Sequence, residues 1–69
     1  MATYRIIDLP GDEFNVLNRQ DDLEASGLDA EETLDFVLAH PGETFAFGEF
    51  EVPQSGAVSR MKYVYGVSR

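Results

Sequence analysis

The 69-residue chain contains no cysteine, a single lysine (Lys62), a single histidine (His40) and only five basic residues in all. Each shortage closes a class of function. Without cysteine there is no disulfide, no thiolate metal site and no thiol nucleophile, and one histidine cannot make up a conventional zinc site. Small secreted domains usually depend on disulfides, so their absence points to the cytoplasm. Five bases are too few to neutralise a run of phosphates, so direct nucleic-acid binding is not expected. The apolar runs fall far short of a membrane span, and no secretory pattern opens the chain, so a soluble protein without a membrane partner is expected. No repeat, linker or low-complexity tract divides the sequence, and its length suits one domain over residues 1–69.

What the chain has in quantity is negative charge. All 13 acidic residues lie between Asp8 and Glu51, a stretch whose one base is Arg19, and the formal net charge is −8. Such a field attracts cationic partners and repels nucleic acid and anionic lipid. A salt-adapted host would also explain an acid-rich, lysine-poor composition without any binding surface. The hydrophobic fraction of 43% is enough for a folded core.

Periodicity gives the layout. Residues 3–9 (TYRIIDL) are β-branched and aromatic and read as a strand, followed by turn chemistry at Pro10-Gly11-Asp12. Residues 14–19 read as a second strand, with a short helix capped by Asp12 as the competing assignment. Residues 20–27 are polar and acidic, with a break at Gly27. Asp29 and Glu32 form a capping box that starts a helix over residues 29–40, ended by His40-Pro41-Gly42. On that helix Ala30, Thr33, Leu34, Val37 and Leu38 share an arc, opposite Glu31, Glu32 and Asp35. Residues 44–52 (TFAFGEFEV) read as one strand with a bulge at Gly48, which would keep Phe45, Phe47, Phe50 and Val52 on one face. A loop over 53–59 leads to an alternating strand over 60–67, in which Lys62 would pair across to Glu51. The predicted fold is α+β: an antiparallel four-stranded sheet in the order β-β-α-β-β, with one helix on a face. Ile7, Leu9 or Val64 would lie on its uncovered side.

Catalytic equipment is sparse. The serines and threonines sit in no strained elbow, no glycine-rich phosphate loop is present, and His40 reads as a cation near a helix C-terminus, favoured by the helix dipole. Glu31, Glu32 and Asp35 would be paired carboxylates only in a desolvating cleft, which a layer of this size rarely builds. Asp21-Asp22-x-Glu24 lacks the alternation, central glycine and distal glutamate of a calcium loop. No catalytic residue, metal or cofactor is therefore expected.

The remaining candidate is the acidic tract. Asp21, Asp22 and Glu24 precede the helix, and Glu31, Glu32 and Asp35 decorate its outer side, so together they would form a negative ridge able to dock on a basic channel. Phe36, at the edge of the apolar arc, would anchor the contact. The plainer reading is a solvated face for the carboxylates and core-edge packing for Phe36.

In size, charge, lack of cysteine and sheet-plus-helix layout the chain resembles the small acidic inhibitors encoded by phages and mobile elements, including anti-CRISPR proteins. That resemblance implies a non-enzymatic protein that binds a defence complex and blocks its nucleic-acid channel or partner recruitment. It implies a basic protein partner, and a monomer or homodimer. An antitoxin or regulatory module acting through a sheet edge, a small enzyme using His40, and an assembly subunit are the alternatives.

Overall fold

A computed structural model describes residues 2–68. The fold is α+β, with five strands and two helices: β1 (Tyr4–Leu9), β2 (Glu13–Leu17), β3 (Leu23–Leu28), α1 (Ala30–Leu38), β4 (Thr44–Phe47), β5 (Phe50–Pro53) and α2 (Gln54–Tyr63). The sheet order is β3-β2-β1-β4-β5. All neighbours are antiparallel except β1 and β4, which run parallel because α1 carries the chain across between them. The sheet is thus mixed and five-stranded rather than antiparallel and four-stranded, and two helices cover it rather than one.

The β1–β2 hairpin follows its turn chemistry. Leu9 pairs with Glu13, and the three residues between include Gly11 at φ 84° and Asp12 at φ 59°. These backbone angles suit glycine and tolerate aspartate. Residues 13–17 form a strand, not the competing helix, because Phe14 and Val16 alternate into the core while Asn15 and Leu17 face the other way.

β3 replaces the expected polar break. The Asn18–Asp22 turn builds it: Asn18 Oδ1 accepts from the amides of Gln20 (2.9 Å) and Asp22 (3.0 Å), and Asn18 N donates to Asp22 O at 2.8 Å. With the chain reversed there, the following segment is laid beside β2 despite its weak β propensity. Its register is irregular, Phe14 pairing with Leu28 but Val16 with Ala25, and Asn15 Oδ1 takes up the Gly27 amide at 3.2 Å.

α1 begins as its sequence dictates. Asp29 accepts from the Glu32 amide at 2.7 Å, and the Glu32 carboxylate accepts from the Asp29 amide at 3.0 Å. Thr33, fully buried, satisfies its hydroxyl on Asp29 O at 2.8 Å. Leu34 and Val37 are fully buried, but Leu38, assigned to the same arc, remains half exposed at the helix end.

Gly48 is a turn rather than a bulge. Phe47 pairs with Phe50 and Phe45 with Val52, so Gly48 (φ 63°) and Glu49 form a two-residue hairpin loop. Across such a loop partners have opposite parity in sequence yet face the same side, which explains the irregular alternation without an inserted residue.

The largest departure is α2, which occupies nearly all of the expected loop over 53–59 and the first half of the expected strand over 60–67. Ala57 and Met61, one helical turn apart, are fully buried, whereas Tyr63 is 87% exposed. The cross-strand pairing of Glu51 with Lys62 has no second strand to hold it: Glu51 pairs with Ala46 of β4 and Lys62 lies on α2. After the helix, Gly66 (φ 74°) turns the chain and the Val67 amide reaches Met61 O at 3.2 Å, so Val67 returns to the core. Val64, expected on the uncovered sheet face, is instead the exposed C-cap of α2.

Both helices pack on the face that presents Ile6, Phe14, Val16, Phe45 and Phe47, and they pack on each other. Burying each of the two phenylalanines that lie fully inside, Phe14 and Phe45, is worth about 2–3 kcal/mol. The opposite face, with Arg5, Ile7, Leu9 and Leu17, carries no helix. Among the described residues no helix is long and apolar enough to cross a membrane.

Candidate interaction surfaces

The sequence-predicted residues fall on the β3 side of the sheet. Asp21 and Asp22 are in the β2–β3 turn, Glu24 is on β3, and Glu31, Glu32 and Asp35 are on α1; all six are exposed. β3 carries the chain from the Asp21–Asp22 end to the start of α1, roughly 20 Å away at about 3.3 Å per residue. α1 then runs back, since Phe36 on its later half meets Tyr4 at the start of β1. The acids therefore make two groups at opposite ends of β3, with Glu24 and Asp35 between, rather than one tight cluster.

Several of these carboxylates already have work within the chain. Asp21 lies 3.5 Å from the Arg5 guanidinium, Glu24 accepts from Asn18 Nδ2 at 3.0 Å, and Glu32 completes the capping box. Glu31 and Asp35 also interact within the chain. The Arg5–Asp21 pair is more than half exposed on both sides, so screening leaves it little weight in stability. Phe36 is half buried against the core, edge-on to Tyr4 (5.1 Å between centroids) and stacked on His40 (4.2 Å). Its ring is engaged in an aromatic group that also holds Phe45 against Tyr4.

His40 is positioned by the same group. Its Nδ1 is 2.6 Å from Phe36 O, a carbonyl in the last turn of α1, so Nδ1 carries the proton and caps the helix end. Among the described residues, no group of three or more histidine, aspartate or glutamate side chains is placed to hold a metal ion.

A second surface was not legible in the sequence. β1 pairs with β2 along Arg5–Leu9 but with β4 only as far as Ile6, because β4 ends at Phe47 and the chain turns away at Gly48. The β4 side of β1 past Ile6 therefore borders, at Ile7 and Asp8, a groove of about 460 Å³. Phe47, the 67% exposed Phe50, Arg60 and Tyr65 line it, and Asp8 and Glu49 supply carboxylates. The Arg60 guanidinium lies over the Phe47 ring, 5.0 Å from its centroid. Its Nε is buried without a hydrogen-bond partner among the described residues, which costs about 1–3 kcal/mol when left so. Burial of Tyr65 first, then the Asp8 carboxylate, raise its pKa, and Arg60 opposes them. Phe50, expected to share a face with Phe45, Phe47 and Val52, shows its 67% exposure beside this groove only in the structure.

Comparison with protein-family models, with curated proteins and with solved structures finds no match for this chain.

Proposed function

We propose that this protein is a non-enzymatic inhibitor that binds a basic, nucleic-acid-handling protein by direct contact, in the manner of anti-CRISPR proteins. The observation that carries the reading is the exposure of Asp21, Asp22, Glu24, Glu31, Glu32 and Asp35 on two consecutive elements beside one sheet edge, in a chain of net charge −8. Carboxylates held by a strand and a capped helix need little ordering on binding, so their attraction for a cationic channel is spent on contact rather than on folding. Phe36 supports the α1 surface from beneath rather than standing out as an anchor.

The test is affinity capture of a partner, followed by measurement of that partner's nucleic-acid binding with and without this protein. Capture should weaken with added salt, and nucleic acid should be displaced. Neutralising Asp22, Glu24, Glu31 and Asp35 together to the matching amides should abolish displacement while circular dichroism stays unchanged. Capture that ignores both salt and neutralisation would refute the proposal.

β3 as an open edge favours a second reading, an antitoxin-like or regulatory module that adds its edge to a partner's sheet. Leu23, 57% exposed at the start of β3, would then matter more than the carboxylates. Leu23→Ser would abolish capture and amide substitution would not.

A further inference from the structure

We infer that the groove beside Ile7 and Asp8 is a docking site for an extended peptide segment bearing an arginine side chain. This goes beyond the acidic-edge reading, uses different residues and stands or falls apart from it.

Three observations converge on that occupant. The first is the backbone. β1 is a central strand, yet past Ile6 it has a strand on one side only. Main-chain groups alternate in direction along a strand, so the Ile7–Asp8 stretch presents amide or carbonyl groups toward the groove, where an extended peptide can pair with them. The remaining gap suits about three residues, in line with the end of β4.

The second is the lining. Ile6, Ile7, Phe47 and Phe50 give the groove apolar surface, and the Arg60 guanidinium lies over the Phe47 ring. An occupant charged along its whole length would leave that surface unmatched, whereas a peptide with apolar side chains beside its arginine does not.

The third is charge and shape. Asp8 and Glu49 set two carboxylates against the single guanidinium of Arg60, which already rests on Phe47. The balance rejects an anionic side chain. The exposed ring of Phe50 adjoins Glu49 and offers a flat apolar face. A planar guanidinium stacks on such a ring while its N–H groups reach carboxylates, a combination that the compact, strongly hydrated lysine ammonium matches less well.

The experiment is a nuclear magnetic resonance titration of the full chain with a blocked pentapeptide, Gly-Val-Arg-Val-Gly. Parallel titrations carry citrulline, lysine or glutamate in place of the arginine. The arginine peptide should shift the amides of Ile7, Asp8, Glu49 and Phe50 and the Nε–H signal of Arg60. Citrulline should weaken binding at least tenfold, lysine severalfold, and glutamate should abolish it. Phe50→Ala and Glu49→Gln, both at exposed positions that leave the core untouched, should each weaken the arginine peptide about three- to tenfold. Equal binding of the arginine and citrulline peptides would overturn the inference. So would shifts confined to the β3–α1 edge, tighter binding of the glutamate peptide, or no shift at Ile7 and Asp8 at millimolar peptide. If the groove signals instead move on diluting the protein alone, its occupant is a second copy, and the inference fails.

Discussion

Gln54, the first residue of α2, donates from its side-chain Nε2 to Val37 O at 2.9 Å and to Leu38 O at 3.3 Å, so one helix closes the carbonyl end of the other. α1 has no basic residue in its last turn; Val37 O already accepts from the His40 amide at 3.1 Å, and Gln54 adds a second donor there and reaches Leu38 O as well.

Gln54→Ala should therefore destabilise the protein by about 1 kcal/mol, the net worth of a typical hydrogen bond with part-buried partners. Urea unfolding followed by circular dichroism should show a lower midpoint with an unchanged slope. An unaltered midpoint would mean that water replaces Gln54 at no cost.

At the other end of α1, Asp29→Ala should cost about 1–2 kcal/mol, because the carboxylate that accepts from the Glu32 amide is lost while the backbone half of the capping box remains. Glu32→Gln should cost much less, since an amide oxygen still accepts from the Asp29 amide. The pair of urea midpoints separates the hydrogen bond from the charge. Equal losses would assign the effect to the helix dipole instead.

Gly56 looks replaceable, since alanine gains about 1 kcal/mol of helix propensity over glycine. Here the added Cβ would stand 2.8 Å from Val52 Cβ, an atom fixed to the β5 backbone that cannot swing aside. Overpacking of that kind costs about 1–3 kcal/mol, so the clash wins and Gly56→Ala should lower the melting temperature.

Tyr65 makes stability depend on pH in the alkaline range. Burial, then the Asp8 carboxylate, raises its pKa above the ordinary phenol value near 10, so the folded chain holds the phenolic proton more tightly than the unfolded chain. That contribution is present in full below the unfolded pKa and is lost as pH rises through the folded one. Urea midpoints should fall as pH is raised above about 10, with Tyr65→Phe showing a shallower fall. A steeper fall in the variant would contradict this sign.

How far the sequence revealed the fold depended on whether the deciding interaction was local. α1 was readable because Asp29, Glu32 and the Leu34–Val37 stripe lie within three turns of one another. β1 and β2 were readable because Pro10-Gly11-Asp12 sits between two alternating runs. β3 was not, since Leu23, Ala25 and Leu28 become strand residues only once Asn18 has reversed the chain and β2 is there to pair. α2 was hidden by a coincidence of periods: Met61, Tyr63, Tyr65 and Val67 alternate perfectly, while the helical signal reduces to Ala57 and Met61. With no capping side chain at Pro53, nothing in the local sequence announced a helix start. The acidic residues were easy to find, but their division between the two ends of β3 follows from a strand that composition did not reveal.

The parallel pairing of β1 with β4 has a consequence for biogenesis. The first strand in chain order is also the middle strand, and its second neighbour follows only after more than thirty further residues. A nascent or prematurely ended chain that stops before β4 carries an interior strand with one bare flank and lacks α2. Such a fragment is a template for wrong pairings, and the abundant carboxylates would then serve to keep incomplete chains apart by mutual repulsion.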